Sequence, residues 1–159
     1  LISFSLFRQQ IISKELRSSW QTSHLNYLDK VSDYLTLNTP EEAEIFTFAP
    51  PFVTEADRRV SMNLLLEVWQ IMPEYSEEEC KKYGMVNIEM IIQELNKKSP
   101  YALLLQNPGR LEDNNGKGRI LIPYRDSIWE VINKNYYLAH TIEMKKGVDP
   151  NINIYFRKQ

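Results

Sequence analysis

The sequence predicts an α/β domain with a small mixed sheet flanked by helices and a C-terminal antiparallel hairpin. Two continuous apolar segments, residues 43–49 and 101–105, each follow a segment with the periodicity of an amphipathic helix. Helix, short turn and apolar strand in this order are typical of α/β layers. Both apolar segments lack polar alternation, which favours strands buried on both faces and therefore a parallel pair. Two further strand-like segments near the C-terminus, joined by a short connection, predict the hairpin.

The first clear element is a helix that follows Ser23. It ends before Thr39-Pro40, because the residue before a proline is pushed out of helical geometry. A turn then leads into the strand 43–49, which Pro50-Pro51 ends. The apolar positions of the helix recur at helical spacing and are Leu25, Leu28, Val31 and Leu35.

Two capped helices precede the second strand. Ser76 with Glu79 three residues later forms a capping box, which predicts a short helix through Tyr83. Asn87 caps the next helix, which ends near residues 97–100. Its apolar stripe, which we expect to face the core, consists of Ile88, Ile91, Ile92 and Leu95.

The last third of the chain contains a predicted loop, a helix and the hairpin. Residues 107–119 are polar and turn-rich, which predicts a surface loop. Pro123 begins a helix with Ile128, Val131 and Ile132 facing inward. The hairpin pairs residues 136–144 with residues 152–157. The first residues of the second strand alternate between apolar and polar, which predicts a half-exposed edge strand.

Length and charge limit the function classes without naming one. The chain has 159 residues, of which 43% are hydrophobic, and 19 basic residues against 21 acidic ones give a net charge of −2. Such a chain can bury a core without disulfides or a metal. The charge balance argues against a nucleic-acid partner, since such proteins carry a clustered basic excess. We therefore expect one domain over residues 23–159.

The N-terminus leaves two interpretations open. The first seven residues are largely apolar, but seven residues cannot cross a bilayer, which needs about 20. A basic segment and a small-residue cleavage site, the marks of a signal peptide, are both lacking. Residues 1–22 are thus either an ordinary buried helical start or the end of a membrane helix that begins before Leu1.

The sequence contains no recognisable catalytic, metal or phosphate motif. Cys80 is the only cysteine, and its acidic neighbours at positions 77–79 would raise the pKa of its thiol. His24 and His140 lie in different elements, and neither has a second ligand at helical spacing. The Gly116-Lys117 pair lacks the upstream glycine and the following Ser or Thr of a phosphate loop. We expect no catalytic residue, no metal and no cofactor.

The charged cluster at residues 55–59 is the best candidate for a binding site. It follows the first buried strand, and open α/β sheets place ligands beyond the carboxyl ends of their strands. Arginine forks onto phosphate or carboxylate, so Glu55, Arg58 and Arg59, together with Arg125, form the candidate ligand-binding set. The alternative is that Glu55 and Asp57 pair with these arginines and fix the loop.

Several motifs, read in order, resemble a known family. They are Asn38-Thr39-Pro40, the strand 45–50, residues 55–60, residues 72–79, residues 86–89, and the C-terminal segments 137–141 and 154–157. This order is similar to the soluble tail after the last membrane helix of bacterial GT-C-type glycosyltransferases, relatives of the dolichyl-phosphate-mannose protein mannosyltransferases. The similarity covers residues 23–158. It departs at Ser61-Met62-Asn63, where such tails often have Pro or Gly.

The resemblance implies a non-catalytic, extracytoplasmic domain of a membrane glycosyltransferase that supports recognition of the acceptor or of a polyprenyl-phosphate-sugar donor. Enzymes of this family use acidic residues in loops among their membrane helices, and no such loop is present here. The fragment alone is then inactive. Its partner is the membrane part of the same polypeptide, on the extracytoplasmic face of the bacterial cell membrane.

Two other hypotheses come from different classes. One is a free-standing interaction module whose partner surface includes Trp69 and the loop 107–119. The other is a small soluble enzyme with a dispersed site around Glu55, Arg58 and Arg125, which requires these side chains to share a pocket.

Overall fold

The computed structural model of the chain describes residues 24–65, 70–106, 124–143 and 151–159. The expectations for residues 1–22, for the loop 107–119 and for Trp69 lie outside the described residues. The elements, numbered in chain order, are α1 (His24–Asn38), β1 (Glu44–Thr47), α2 (Pro50–Glu55), β2 (Arg59–Val60), a 3₁₀ helix (Ser61–Asn63), α3 (Glu77–Tyr83), α4 (Ile88–Asn96), β3 (Ala102–Gln106), α5 (Arg125–Asn135), β4 (Tyr136–Ile142) and β5 (Ile152–Arg157).

The described strands form one mixed sheet in the order β2-β1-β3-β5-β4. Strands β2, β1 and β3 are parallel, with Ile45 beside Ala102 and Thr47 beside Leu104. Strand β5 runs antiparallel to both β3 and β4. The predicted α/β class, the parallel pair and the C-terminal hairpin are therefore confirmed.

The prediction that the last strand lies at an edge is wrong. Strand β5 lies between β3 and β4, and its residues from Ile152 through Tyr155 are all buried. Asn153 alternates with isoleucines in sequence, but its side chain accepts a hydrogen bond from Thr141 Oγ1 at 2.9 Å instead of facing water. The outer strand of the hairpin is β4, which carries the exposed Tyr137 and Leu138. Alternation identified a strand correctly but could not identify its neighbours.

Helices cover both faces of the sheet. Neighbouring residues of a strand point to opposite faces, and the register aligns His140 with Ile154 on one face and Leu138 with Tyr155 on the other. Tyr34 of α1 stacks on His140, with ring centroids 4.5 Å apart. Trp129 of α5 contacts Tyr155, with ring centroids 6.1 Å apart. Helix α1, with α2 beside it, therefore covers the first face, and α5, with α4 beside it, covers the second.

The predicted helix caps are present in the structure. The Ser76 hydroxyl accepts a hydrogen bond from the Glu79 amide, and the Glu79 carboxylate accepts one from the Ser76 amide at 2.9 Å. Helix α3 ends at Gly84, whose φ of 65° is the left-handed conformation that glycine adopts without strain. The Asn87 side chain accepts a hydrogen bond from the Met90 amide at the start of α4. These local signals fix both ends of α3 and the start of α4.

The core lies on both faces of the sheet, where the predicted apolar stripes meet it. Val31 and Leu35 of α1, Ile91 and Leu95 of α4 and the strand residues Phe46 and Leu103 are fully buried. Ile128, Val131 and Ile132 of α5 are buried as the sequence predicts. Because a parallel strand buried on both faces needs helices above and below it, this core requires both helical layers.

Candidate functional site

The charged cluster lies at the edge where the parallel strands begin. We call this side of the sheet the amino edge and the opposite side, where β1 and β3 end, the carboxyl edge. Arg59 is in register with Glu44, the first residue of β1. The six-residue helix α2 has carried the chain back across the sheet before Arg58 is reached. The argument from strand ends that singled out this cluster therefore does not apply to it.

The Arg58 guanidinium is occupied by backbone oxygens of its own fold. Its Nη2 donates to the carbonyl oxygens of Thr39 at 2.9 Å and Thr36 at 3.2 Å. Its Nη1 donates to the carbonyl oxygens of Ala56 at 3.0 Å and Asp57 at 3.3 Å. These carbonyls lie at the C-terminal end of α1 and in the turn before β2. A cation at this position is favoured by the helix dipole, and it joins α1 to the start of β2.

The other residues of the cluster lie nearby but make different contacts. Arg59 is exposed, donates to the Glu42 carbonyl oxygen at 2.8 Å and lies 4.0 Å from the Glu44 carboxylate. Glu55 is the last residue of α2 and is half-buried. The structure thus brings Glu55, Arg58 and Arg59 to one end of the sheet. The ion pair that it shows for Arg59 is with Glu44, outside the cluster.

Arg125 lies in another part of the molecule. It is the first residue of α5, and its Nε lies 3.0 Å from the carboxylate of the neighbouring Asp126. Helix α5 covers the face opposite to α2 and leads into β4 at the amino edge, so that its start points toward the carboxyl edge. The structure does not bring Arg125 to Arg58 and Arg59. A dispersed soluble active site that contains Glu55, Arg58 and Arg125 together is therefore not supported by the topology.

The carboxyl edge contains features that sequence reasoning missed. The strand order places β2 on one side of β1 and β3 on the other, so the topological switch point lies beyond the ends of β1 and β3, where open α/β sheets bind ligands. At the end of β1, the buried Thr47 hydroxyl accepts a hydrogen bond from the Ala49 amide at 2.9 Å. The sequence offers no local signal for this location, because the switch point is a property of the strand order.

Beyond β2 the backbone adopts a conformation that side chains disfavour. Ser61 is fully buried, and its hydroxyl has no hydrogen-bond partner among the residues that the structure describes. Met62 and Asn63 follow with φ values of 58° and 53°. Asparagine tolerates this left-handed region, whereas methionine adopts it at a cost of about 1–2 kcal/mol. The Gln70 side chain donates to the Asn63 and Gly84 carbonyl oxygens, both at 3.1 Å, and holds this turn against the end of α3.

Burial and neighbouring groups shift the pKa of a few described side chains. Burial, and then the Glu79 carboxylate, raise the pKa of the Cys80 thiol, as the sequence predicts. Burial raises the pKa of Tyr136, whose hydroxyl donates to the Pro100 carbonyl oxygen. Burial and the phenol of Tyr137 raise the pKa of Tyr34. Within the described ranges, no three His, Cys, Asp or Glu side chains are placed to hold a metal ion.

Comparisons with known proteins add no relative. The chain matches no family model, no curated protein and no solved structure. Among the helices that the structure describes, none is long and apolar enough to cross a membrane. The assignment of a function therefore rests on the sequence motifs and on the geometry of the fold.

Proposed function

We propose that this chain is a non-catalytic, extracytoplasmic α/β domain of a polyprenyl-phosphate-sugar-dependent membrane glycosyltransferase. In this role it supports recognition of the acceptor or of the lipid-linked donor, on the outer face of the bacterial cell membrane. Its partner is the membrane part of the same polypeptide, which carries the catalytic groups.

One structural relationship supports the proposal. Two of the motifs that carry the resemblance, at residues 38–40 and 55–60, are separate in the sequence. In the fold they form one joint, because Arg58 binds Thr39 through both its hydroxyl and its carbonyl oxygen. Motifs that contact each other in the fold are better support for a resemblance than motifs that lie on unrelated parts of the surface.

The geometry of the arginines is compatible with a non-catalytic role. The guanidinium of Arg58 donates hydrogen bonds to backbone carbonyl oxygens. At the same edge, Arg59 donates to the Glu42 carbonyl oxygen and pairs with the Glu44 carboxylate. A domain whose arginines stabilise its own joints can support the enzyme by holding a shaped surface against the membrane part.

The test begins with the complete gene and continues with its product in membranes. We expect membrane helices upstream of Leu1 and transfer of a sugar from a polyprenyl-phosphate donor by the full polypeptide. The 159-residue chain alone should transfer none, and removal of residues 24–159 should reduce transfer to the acceptor. A coding sequence without upstream membrane helices, or sugar transfer by the 159-residue chain alone, would refute the proposal.

A further inference from the structure

We infer that two copies of this chain associate through their β4 strands, which pair antiparallel and join the two sheets into one. The inference goes beyond the proposed function and does not depend on it. Three observations carry it: the contrast between the two outermost strands of the sheet, the apolar side chains that β4 exposes, and the opposite charges at the two ends of β4.

The two outermost strands differ in how they are protected against pairing with another chain. Strand β2 has only two residues, and one of them is the exposed Arg59, which pairs with Glu44. Strand β4 has seven residues, Tyr136–Ile142, and contains no Asp, Glu, Lys, Arg or Pro. Short length, charge and proline are common means by which edge strands avoid association. Strand β2 uses the first two of these means, and β4 uses none of the three.

Strand β4 also exposes apolar side chains on both faces of the sheet. Tyr137 is 50% exposed and Leu138 is 52% exposed, and neighbouring residues of a strand point to opposite faces. Among the strands that the structure describes, β5 alone pairs with β4, so the outer side of β4 has no ladder partner there. An uncharged strand with exposed apolar side chains and an unpaired side is a template for a further strand.

A bulge in β4 determines which antiparallel register is possible. Leu138 and His140 lie opposite consecutive residues of β5, so Ala139 between them is an extra residue. The alternation of faces shifts at this point. Tyr137 and His140 point to the face that α1 covers, whereas Leu138 and Thr141 point to the face that α5 covers. A two-fold axis perpendicular to the sheet keeps each face on its own side, so a residue must pair with one that points to the same face.

One register that meets this condition matches the exposed side chains of β4 with each other. It places Leu138 opposite Leu138 of the second copy, at the two-fold axis. Tyr137 then lies opposite His140 of the second copy, whose imidazole stacks on Tyr34 with an angle of 9° between the rings. Apolar and aromatic pairs directly opposite each other are the contacts that stabilise neighbouring strands.

The charges at the two ends of β4 are complementary in the same register. Lys134 lies two residues before the strand, Glu143 directly follows it, and both are exposed. Antiparallel pairing brings the beginning of one strand to the end of the other, so Lys134 of each copy comes close to Glu143 of the other copy. The two-fold symmetry forms this pair twice. This complementarity of the strand with itself favours a second copy of the chain as the occupant.

Sedimentation equilibrium of the 159-residue chain tests the association. A concentration of about 200 µM is suitable, because one strand pair forms a small interface and small interfaces bind weakly. We expect the mass of two chains. Leu138→Lys places two ammonium groups opposite each other and should weaken the dimer about tenfold. The matched control is Leu65→Lys, at a 59% exposed leucine beyond β2, and it should leave the dimer unchanged. Circular dichroism shows that both variants keep the fold.

Cross-linking and a charge exchange test the register. Leu138→Cys should form a disulfide-linked dimer under mild oxidation and Leu65→Cys should not, while the native Cys80 is buried. Lys134→Glu should weaken the dimer about threefold, and adding Glu143→Lys should restore it. A chain that is monomeric at this concentration, or a dimer that Leu138→Lys leaves unchanged, would overturn the inference. Absence of the Leu138→Cys cross-link, or of restoration by the charge exchange, would overturn the antiparallel pairing that it specifies.

Discussion

The side chain of Arg58 binds Thr39 twice: its Nε donates to the Thr39 hydroxyl and its Nη2 to the Thr39 carbonyl oxygen, each at 2.9 Å. Thr39 in turn donates its hydroxyl to the Leu35 carbonyl oxygen at 2.6 Å. Thr39 and Arg58, which is 19 residues later in the sequence, thus hold the end of α1 against the start of β2. The arginine selected from the sequence as a ligand contact is a structural part of the fold.

The first prediction concerns this joint. Arg58→Lys should lower the free energy of unfolding by about 2 kcal/mol, because an ammonium group cannot reproduce the planar fork of hydrogen bonds to several carbonyls. Urea unfolding followed by circular dichroism measures the loss. The control is Arg59→Lys, at an exposed side chain, with a change within about 0.5 kcal/mol. If the Arg58→Lys variant is as stable as the original chain, Arg58 does not stabilise this joint, and a ligand-binding role for it becomes open again.

A second prediction compares two fully buried hydroxyls. Thr47→Val removes the acceptor of the Ala49 amide and should cost about 1–3 kcal/mol, because a buried donor is left without a partner. Ser61→Ala removes a hydroxyl that has no hydrogen-bond partner in the described part of the chain, so stability should be unchanged or should rise by up to about 1 kcal/mol. Thermal unfolding of both variants gives the comparison. A large loss for Ser61→Ala would show that its hydroxyl has a partner in solution.

The third prediction is a pH dependence at the start of α3. The Ser76 hydroxyl, and then the Ser76 amide, lower the pKa of Glu79 below its usual value of 4.5. A carboxyl whose pKa is lower in the folded state stabilises that state above the unfolded pKa and loses this contribution as pH falls through the folded value. Glu79→Gln should therefore be less stable than the original chain at pH 7, and the difference should become smaller as the pH falls toward 3.

Urea midpoints at the two pH values test this dependence. Glu78→Gln, which removes a carboxylate from the same helical turn without touching the Ser76 cap, is the control and should show no such convergence. A difference for Glu79→Gln that is as large at pH 3 as at pH 7 would exclude the capping carboxylate as its source.

The fourth prediction concerns the end of α3. Gly84 has a φ of 65°, and an added Cβ would find no atom within 4 Å, so the cost of a substitution is conformational and not steric. Gly84→Ala should lower the free energy of unfolding by about 1–2 kcal/mol, and Gly84→Asn by less, because asparagine tolerates the left-handed region. Chemical unfolding ranks the variants. A Gly84→Asn loss equal to that of Gly84→Ala would indicate that the amide side chain meets an obstacle.

The sequence predicted the elements whose signals are local. The Ser76 box, the Asn87 cap and the stripe of Ile88, Ile91 and Leu95 are formed by residues within a few positions of one another. These caps and this stripe therefore form through local hydrogen bonds and helical spacing, and they do not depend on contacts with the rest of the fold. The two continuous apolar segments likewise predicted β1 and β3 and their parallel pairing, since the absence of alternation already indicates cover on both faces.

The candidate site was predicted less well, because a site depends on which strand ends lie together. Residues 55–59 follow a strand in the sequence, but α2 returns the chain to the amino edge, and the register of Arg59 with Glu44 fixes it there. Arg125 begins a helix on the other face. Neither outcome has a short-range signal, so the sequence placed residues 55–59 at the wrong end of the strands and grouped Arg125 with arginines from which the fold separates it.

By itself, then, the sequence determined the α/β class, the capped helices and the hairpin, because these depend on neighbouring residues. Only the tertiary structure decided that β5 is an inner strand, that Arg58 supports the backbone and that the switch point lies at the edge opposite to the charged cluster. Strand order and register arise from the burial of apolar surface over the whole chain. No local pattern records them, since a strand buried by its neighbours and a strand at an edge can have the same alternation.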